Sequence, residues 1–186
     1  MKLALGLKAH SGWAALVALG ARGSELLVLD RRRIELVESR EPWAKQPYHA
    51  ADGLPSAQAR AVVQRGIDAA RRCAVHELRA AIGRAENAGH EVAACAVVVG
   101  APMPDWSVDE IIAVHFRMHK AEGILYRDAL VDAAKACGLR TVEIPDKELG
   151  DRSAVASLGK AIGPPWGGDQ KDAALAALIA LKGRTR

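Results

Sequence analysis

The hydrophobic positions near the N-terminus fall into three short runs separated by turn signals. Apolar residues fill positions 3–7 and 13–19, and a third segment, residues 25–38, begins apolar and then alternates with charged residues. Ser11-Gly12 lies between the first two runs, and a glycine-containing cluster lies between the second and the third. Apolar runs bounded by such residues predict three strands joined by two hairpins. The charged end of the third strand is typical of an exposed sheet edge.

The rest of the chain alternates between helical and strand patterns. Ser56, Ser107 and Asp169 stand where N-caps are expected, and Ser107 with Glu110 forms a capping-box pattern. The segment 39–55 contains three prolines, and its apolar residues follow neither helical nor strand periodicity. This pattern predicts a surface loop. The predicted elements are a helix at 56–88, a strand at 92–99, a helix from 107 to 136, a strand at 140–144, a short helix at 153–162 and a last helix at 170–182.

The resulting order of the main elements is β-β-β-α-β-α-β-α. Three hairpin-linked strands followed by strand–helix alternation predict an α/β fold with a mixed five-stranded sheet and helices on both faces. The last two strands are expected to run parallel to the first. No linker or internal repeat interrupts the pattern, so residues 1–186 are predicted to form one domain.

Composition narrows the class of protein further. The chain is 50% hydrophobic and 26% charged, as is ordinary for a globular domain. No apolar run approaches the roughly 20 residues that span a bilayer, and the N-terminus lacks a secretory pattern, so a cytoplasmic protein without a membrane partner is expected. Three distant cysteines favour reduced thiols over a disulfide framework. A formal charge of +4 permits an anionic partner without requiring one.

Two short segments carry a family resemblance. The first strand contains GLKAHSG at residues 6–12, and the last helix begins DQKDAALA at residues 169–176. Together with the element order, these segments resemble the RNase H-like superfamily, and within it the RuvC-type Holliday-junction resolvases. Those proteins begin with a strand of the form G-I-D-x-G-S and carry an acid in the first turn of an alanine-rich last helix. The resemblance implies an RNase H-like sheet and a site at the carboxyl ends of its parallel strands.

Four parts of the chain are expected to meet in this crevice: residues 8–11, the loop 102–107, the loop after Pro145, and Asp169 with Asp172. The resembling nucleases cluster carboxylates there. These carboxylates hold two divalent metals, which stabilise the attacking and leaving oxygens of a phosphodiester.

Lys8 departs from that pattern, because it stands where the resembling enzymes carry the first-strand acid. The strand before Gly100 also ends without an acid. An ammonium group repels metal ions, so we predict that Lys8 forms a charge pair with Asp172 in place of a metal. In the alternative, Lys8 points to solvent and Asp172 serves only the helix N-terminus, where a carboxylate is favoured.

Two functional hypotheses follow. In the first, the chain is a non-catalytic nucleic-acid- or protein-binding module with a degenerate metal site and no cofactor. In the second, it is a metal-dependent phosphodiesterase or nuclease that holds Mg²⁺ or Mn²⁺ at Asp169 and Asp172, with His10 as a further candidate ligand. The sequence contains no feature that identifies a specific partner or predicts an oligomeric state.

The second main helix contains a competing metal-binding pattern. His115, His119 and Glu122 are spaced i, i+4 and i+7, so they share one face of the helix. Two histidines at this spacing chelate zinc in some proteins, and a glutamate completes the ligands or acts as a base. A solvated polar face is the plainer interpretation, so zinc is a weaker prediction than an acidic site.

The remaining crevice candidates are His10, Ser11, Trp106 and Trp166. His10 and Ser11 could form a base and nucleophile. However, adjacent strand residues point to opposite faces, and a turn explains Ser11 better. The two tryptophans could stack on unpaired bases or anchor their loops against the core.

Overall fold

Five strands form one mixed sheet in the order β3-β2-β1-β4-β5. In the computed structural model, which describes residues 1–183, β1, β2 and β3 are joined as antiparallel hairpins. β4 and β5 run parallel to β1, as expected. Residues 184–186 of the predicted domain lie outside the described residues. The strands are β1 (Lys2–His10), β2 (Trp13–Arg22), β3 (Glu25–Glu35), β4 (Glu91–Val99) and β5 (Arg140–Pro145).

Helices cover both faces of the sheet, which confirms the predicted α/β architecture. The helices are α1 (Pro42–Lys45), α2 (Pro47–Ala50), α3 (Ser56–Asn87), α4 (Val108–Ile112), α5 (His115–Ala136), α6 (Ser153–Ala156), α7 (Leu158–Ile162) and α8 (Gly168–Leu181), with a 3₁₀ turn at Asp146–Glu148. α3 and α5 pack together on one face, and α8 covers the other. Within residues 1–183, no helix has the length and apolar character needed to cross a membrane.

Side chains of β1 alternate between two hydrophobic clusters. Leu3, Leu5 and Leu7 point to the side of α3 and α5, whereas Ala4 points to the side of α8. Gly6 lies on the α8 side, where the helix backbone approaches so closely that an added Cβ would lie 1.8 Å from a carbonyl oxygen of α8. This close approach packs α8 directly against the middle of β1.

The segment 39–55 is more ordered than its composition predicted. It contains α1 and α2, which begin at Pro42 and Pro47. A proline at the first helical position costs no hydrogen bond, because the N–H group that it lacks would have had no partner within the helix. The prediction of a plain surface loop was therefore wrong. Tyr48, on α2, is buried in the main cluster.

Several predicted boundaries also differ. Ser56 is the first residue of α3 and not its cap, because Ala59 N–H already bonds to Pro55 O. Asp169 lies inside the first turn of α8, whose N-cap is Gly167. β3 ends at Glu35, three residues before the predicted end.

The predicted helix from 107 to 136 is divided into α4 and α5. Its Ser107–Glu110 capping box is confirmed. The helix stops at Ile112 because Val114 adopts an extended conformation, with φ −137° and ψ 110°. The short predicted helix at 153–162 is likewise divided, into α6 and α7.

Candidate functional site

A compact group of ion pairs fills the crevice at the carboxyl ends of β1 and β5. Lys8, near the end of β1, pairs through Nζ with Asp146, which directly follows β5. The same Nζ lies 4.0 Å from Asp172 Oδ2 on α8. Asp172 is bound more closely by Arg152, whose Nε and Nη2 donate to the two carboxylate oxygens at 2.6 and 2.8 Å. Lys8 therefore reaches Asp172, but each of the two has a nearer partner that the sequence did not identify.

Asp172 is the buried member of this group. Its side chain is 7% exposed, against 57% for Arg152. A buried carboxylate is costly unless it is paired and hydrogen-bonded, and a guanidinium fork satisfies both oxygens at once. The hydrogen bonds to Asp172, and then its negative charge, raise the pKa of Arg152 above its ordinary value. Lys8 and Arg152 together balance the charges of Asp146 and Asp172.

The group has little capacity left for divalent cations. Both oxygens of Asp172 are occupied by Arg152, and the ammonium of Lys8 stands beside Asp146. β4 contributes no acid at this edge, since its last residues are valines. A two-metal centre needs several free carboxylate oxygens around a shared volume. The residues described here do not fit that requirement.

Two adjoining clefts open beside the ion pairs. One, of about 580 Å³, is lined by Arg152 and Asp172, and the other, of about 130 Å³, is lined by Lys120 and Arg127 of α5. Both clefts are also lined by Lys8 and Asp146. Four cationic side chains thus surround one continuous stretch of the crevice.

Comparison with solved structures identifies this architecture. The chain is similar to RuvC of Thermus thermophilus, with a TM-score of 0.54 over 98% of this chain and 95% of that one, at 12% sequence identity. The chain has a RuvC-like RNase H fold. A second structure, T. thermophilus RuvC in complex with a Holliday junction substrate, matches with a TM-score of 0.54, 13% identity and coverage of 97% and 96%. No protein-family model matches the sequence, and no curated protein matches it significantly.

The RuvC-like fold confirms the resemblance drawn from the element order. At such low identity, the likeness establishes the arrangement of strands and helices. The chemistry of the crevice depends on the residues that this chain places there. Sequence reasoning missed Asp146 and Arg152, the nearest partners of Lys8 and Asp172. The sequence could have indicated Asp146, because this residue directly follows β5, which ends at the same edge of the sheet as β1.

His10, at the end of β1, and Asp169, in the first turn of α8, lie side by side but line neither of the two clefts. His10 Nε2 is 2.9 Å from Asp169 Oδ1, although the direction of the contact is not that of a hydrogen bond. The His10 ring stacks on Trp13, with centroids 4.3 Å apart and planes 10° apart. Ser11 is exposed in the turn, and no hydrogen bond joins it to His10 among the described residues. The two residues therefore do not form a nucleophile–base pair.

Neither candidate tryptophan lines the two clefts around Lys8. Trp166 Nε1 donates to Val155 O at 3.0 Å, and its ring packs so closely on Gly159 that an added Cβ would lie 2.4 Å from Trp166 Cδ1. Trp106 borders a separate cleft of about 370 Å³ beside α3 and α5. The guanidinium of Arg117 lies 4.1 Å from its ring centroid. Both indoles are held by contacts within the chain.

The predicted metal pattern on α5 is only partly realised. His115 and His119 do lie together, with their Nε2 atoms 3.1 Å apart. Glu122 does not join them, because its side chain is buried and accepts a hydrogen bond from His49 Nδ1 at 2.8 Å. His49, on α2, completes a three-histidine group whose ligand atoms all lie within 4.8 Å of one another. Sequence reasoning missed His49 because it lies in the segment without a period, 73 residues before Glu122.

Proposed function

We propose that this RuvC-like domain binds nucleic acid along its carboxyl-edge crevice and does not cleave it. The observation that carries the proposal is the pairing of Asp172 with Arg152 while Lys8 pairs with Asp146. These ion pairs occupy the carboxylates that a metal-dependent nuclease would need for its cations. On this proposal the metal site is degenerate, and the crevice retains only a binding role.

Electrostatics argue against a metal at this place. A divalent cation about 4 Å from an ammonium group is repelled by about 8 kcal/mol at an effective dielectric constant of about 20. Lys8 Nζ lies 4.0 Å from Asp172, so a metal ligated by Asp172 would be subject to a repulsion of this order. The metal would also have to displace Arg152 from the same carboxylate. The alternative phosphodiesterase at Asp169 and Asp172 therefore has less support.

The cations of the crevice support a polyanionic partner. Lys120 has no ion-pair partner among residues 1–183, and it lies with Arg127 and Lys8 around the smaller cleft. The whole chain carries a formal charge of +4. T. thermophilus RuvC has been solved with a Holliday junction bound, which makes branched DNA the first ligand to test. Arginine and lysine contacts to phosphates supply most sequence-independent affinity for nucleic acids.

Fluorescence anisotropy with labelled oligonucleotides would test the proposal. Four-way junction, duplex and single-stranded DNA, and RNA, would each be titrated at 50 and 200 mM salt. Three phosphate contacts predict about 40-fold weaker binding to double-stranded DNA at the higher salt. Lys120→Ala should weaken binding, whereas Lys135→Ala, at the far end of α5, is the matched control.

Cleavage would be assayed on the same oligonucleotides with Mg²⁺ and Mn²⁺. The proposal expects no product above that of a metal-free control. Cleavage that disappears in Asp172→Asn would contradict it and favour the phosphodiesterase. Failure to bind any nucleic acid at 50 mM salt would also contradict it and favour the protein-binding hypothesis.

A further inference from the structure

Three imidazoles converge where α2 meets the first turns of α5. The ring centroids of His49 and His119 are 4.5 Å apart, those of His115 and His119 are 4.7 Å apart, and those of His49 and His115 are 5.1 Å apart. One ligand atom from each residue fits within a span of 4.8 Å. The group draws on two separate helices, so it is a product of the tertiary fold and not of helical spacing alone.

The distance between two of the nitrogens is close to that found around a bound metal. Tetrahedral zinc with nitrogen ligands at 2.0–2.1 Å places neighbouring nitrogens about 3.3–3.4 Å apart. His115 Nε2 and His119 Nε2 are already 3.1 Å apart. Both side chains are exposed, so small rotations can complete the geometry without disturbing the core.

His49 is oriented as a metal ligand by Glu122. The buried Glu122 carboxylate accepts from the His49 backbone N–H at 3.2 Å and from His49 Nδ1 at 2.8 Å. In the neutral tautomer that donates its Nδ1 proton to this carboxylate, His49 presents the lone pair of Nε2. His49 Nε2 is buried and has no hydrogen-bond partner among the described residues. A carboxylate behind a histidine is the usual outer contact of a zinc-ligating imidazole.

A second contact holds α1, the short helix directly before the one that carries His49. Tyr126 Oη on α5 lies 2.9 Å from Ala44 O and 2.7 Å from Lys45 O, at the end of α1. Tyr126 is fully buried, so these contacts tie the α1–α2 segment firmly against α5. The position of His49 relative to His115 and His119 is therefore set before any ligand arrives.

The geometry points to a transition-metal site, best suited to Zn²⁺, with His49, His115 and His119 as ligands. Three neutral imidazoles with a fourth position open to solvent form an established zinc ligand set, whereas Mg²⁺ prefers oxygen ligands. The metal would fasten the α1–α2 segment to α5 and leave one coordination position for water or an outside donor. The site is separate from the crevice and does not depend on the proposed binding of nucleic acid.

Calorimetric titration of metal-free, untagged protein with Zn²⁺ at pH 7.5 would test the site. One zinc ion per chain is expected, together with a higher melting temperature, because a ligand that binds only the folded state stabilises it. Replacing zinc by Co²⁺ should give the strong visible absorption of tetrahedral cobalt. His119→Ala should lower the zinc affinity at least 100-fold. His76→Ala, at an exposed histidine of α3 outside the group, should leave it unchanged.

Glu122→Gln tests the outer contact separately. It keeps an acceptor for His49 but removes the carboxylate charge, so a 10- to 100-fold loss of zinc affinity is expected. Circular dichroism would confirm that each variant is folded. Because His115 and His119 are exposed, their alanine variants should fold normally. Zinc binding that is absent in the wild type, or equal in the wild type, His115→Ala and His119→Ala, would overturn the inference.

Discussion

Arg152 holds both carboxylate oxygens of Asp172, at 2.6 Å through Nε and 2.8 Å through Nη2. The carboxylate is buried, and the arginine comes from the segment that links β5 to α8. This pair therefore connects the covering helix to the crevice edge.

Arg152→Ala should destabilise the fold more than the double change Arg152→Ala with Asp172→Asn. The single change leaves a buried carboxylate with only Lys8 at 4.0 Å, whereas the double change removes the charge that needs a partner. Urea unfolding of the three proteins would measure the order of their midpoints. An Arg152→Ala protein as stable as the wild type would show that the pair is not needed to compensate Asp172.

Lys8→Asp combined with Arg152→Ala should create affinity for Mn²⁺ in the crevice. The two changes remove both cations and add a third carboxylate beside Asp146 and Asp172, as a divalent ion requires. Mn²⁺ binding would be followed by electron paramagnetic resonance, with Lys2→Asp in the wild-type background as the control for added negative charge. Equal Mn²⁺ binding by the wild type would show that Lys8 and Arg152 do not exclude metal.

Gly6→Ala should destabilise the domain by about 3 kcal/mol or prevent its folding. The added methyl would lie 1.8 Å from Ala173 O, so α8 would have to move away from β1. Gly83→Ala is the matched control, because nothing lies within 4 Å of its added methyl in α3. Since alanine favours a helix over glycine, this control should gain about 0.5–1 kcal/mol. Denaturant melts that give equal stabilities for the two variants would contradict the close approach.

Alkaline pH should destabilise the domain through Cys95. Burial, with a smaller effect of Cys137, raises the pKa of the Cys95 thiol to about 12. In the unfolded chain this thiol ionises near pH 8.5. Between these values the unfolded state releases a proton that the folded state keeps, so stability falls by about 1.4 kcal/mol per pH unit at most.

The comparison of wild type with Cys95→Ala isolates this effect. Unfolding free energies would be measured from pH 8 to pH 10, where the slope of the wild type should be steeper than that of the variant. Cys95 should also resist thiol reagents until the protein unfolds, because the buried thiol is kept protonated. Equal slopes for the two proteins would contradict the prediction.

Local patterns of apolar, polar and turn residues were sufficient to predict most of the strands and helices. The alternation of apolar runs and turn residues identified three hairpin strands, and helical periodicity identified the two long covering helices. Errors occurred where local geometry overrode composition, as at Val114, whose extended backbone divides one predicted helix into α4 and α5. They also occurred in the proline-containing segment, where short helices form because they pack against α3 and α5.

The sequence by itself determined the order of strands and helices along the chain and placed a lysine where the resemblance leads one to expect an acid. The tertiary structure decided which acid Lys8 pairs with, a residue 138 positions away, and which cation satisfies Asp172. It also decided that His49 joins the two histidines of α5. Periodicity arises from neighbours a few residues apart and is visible in a sequence. The partner of a buried charge depends on how whole elements pack, and that is settled only when the sheet and helices meet.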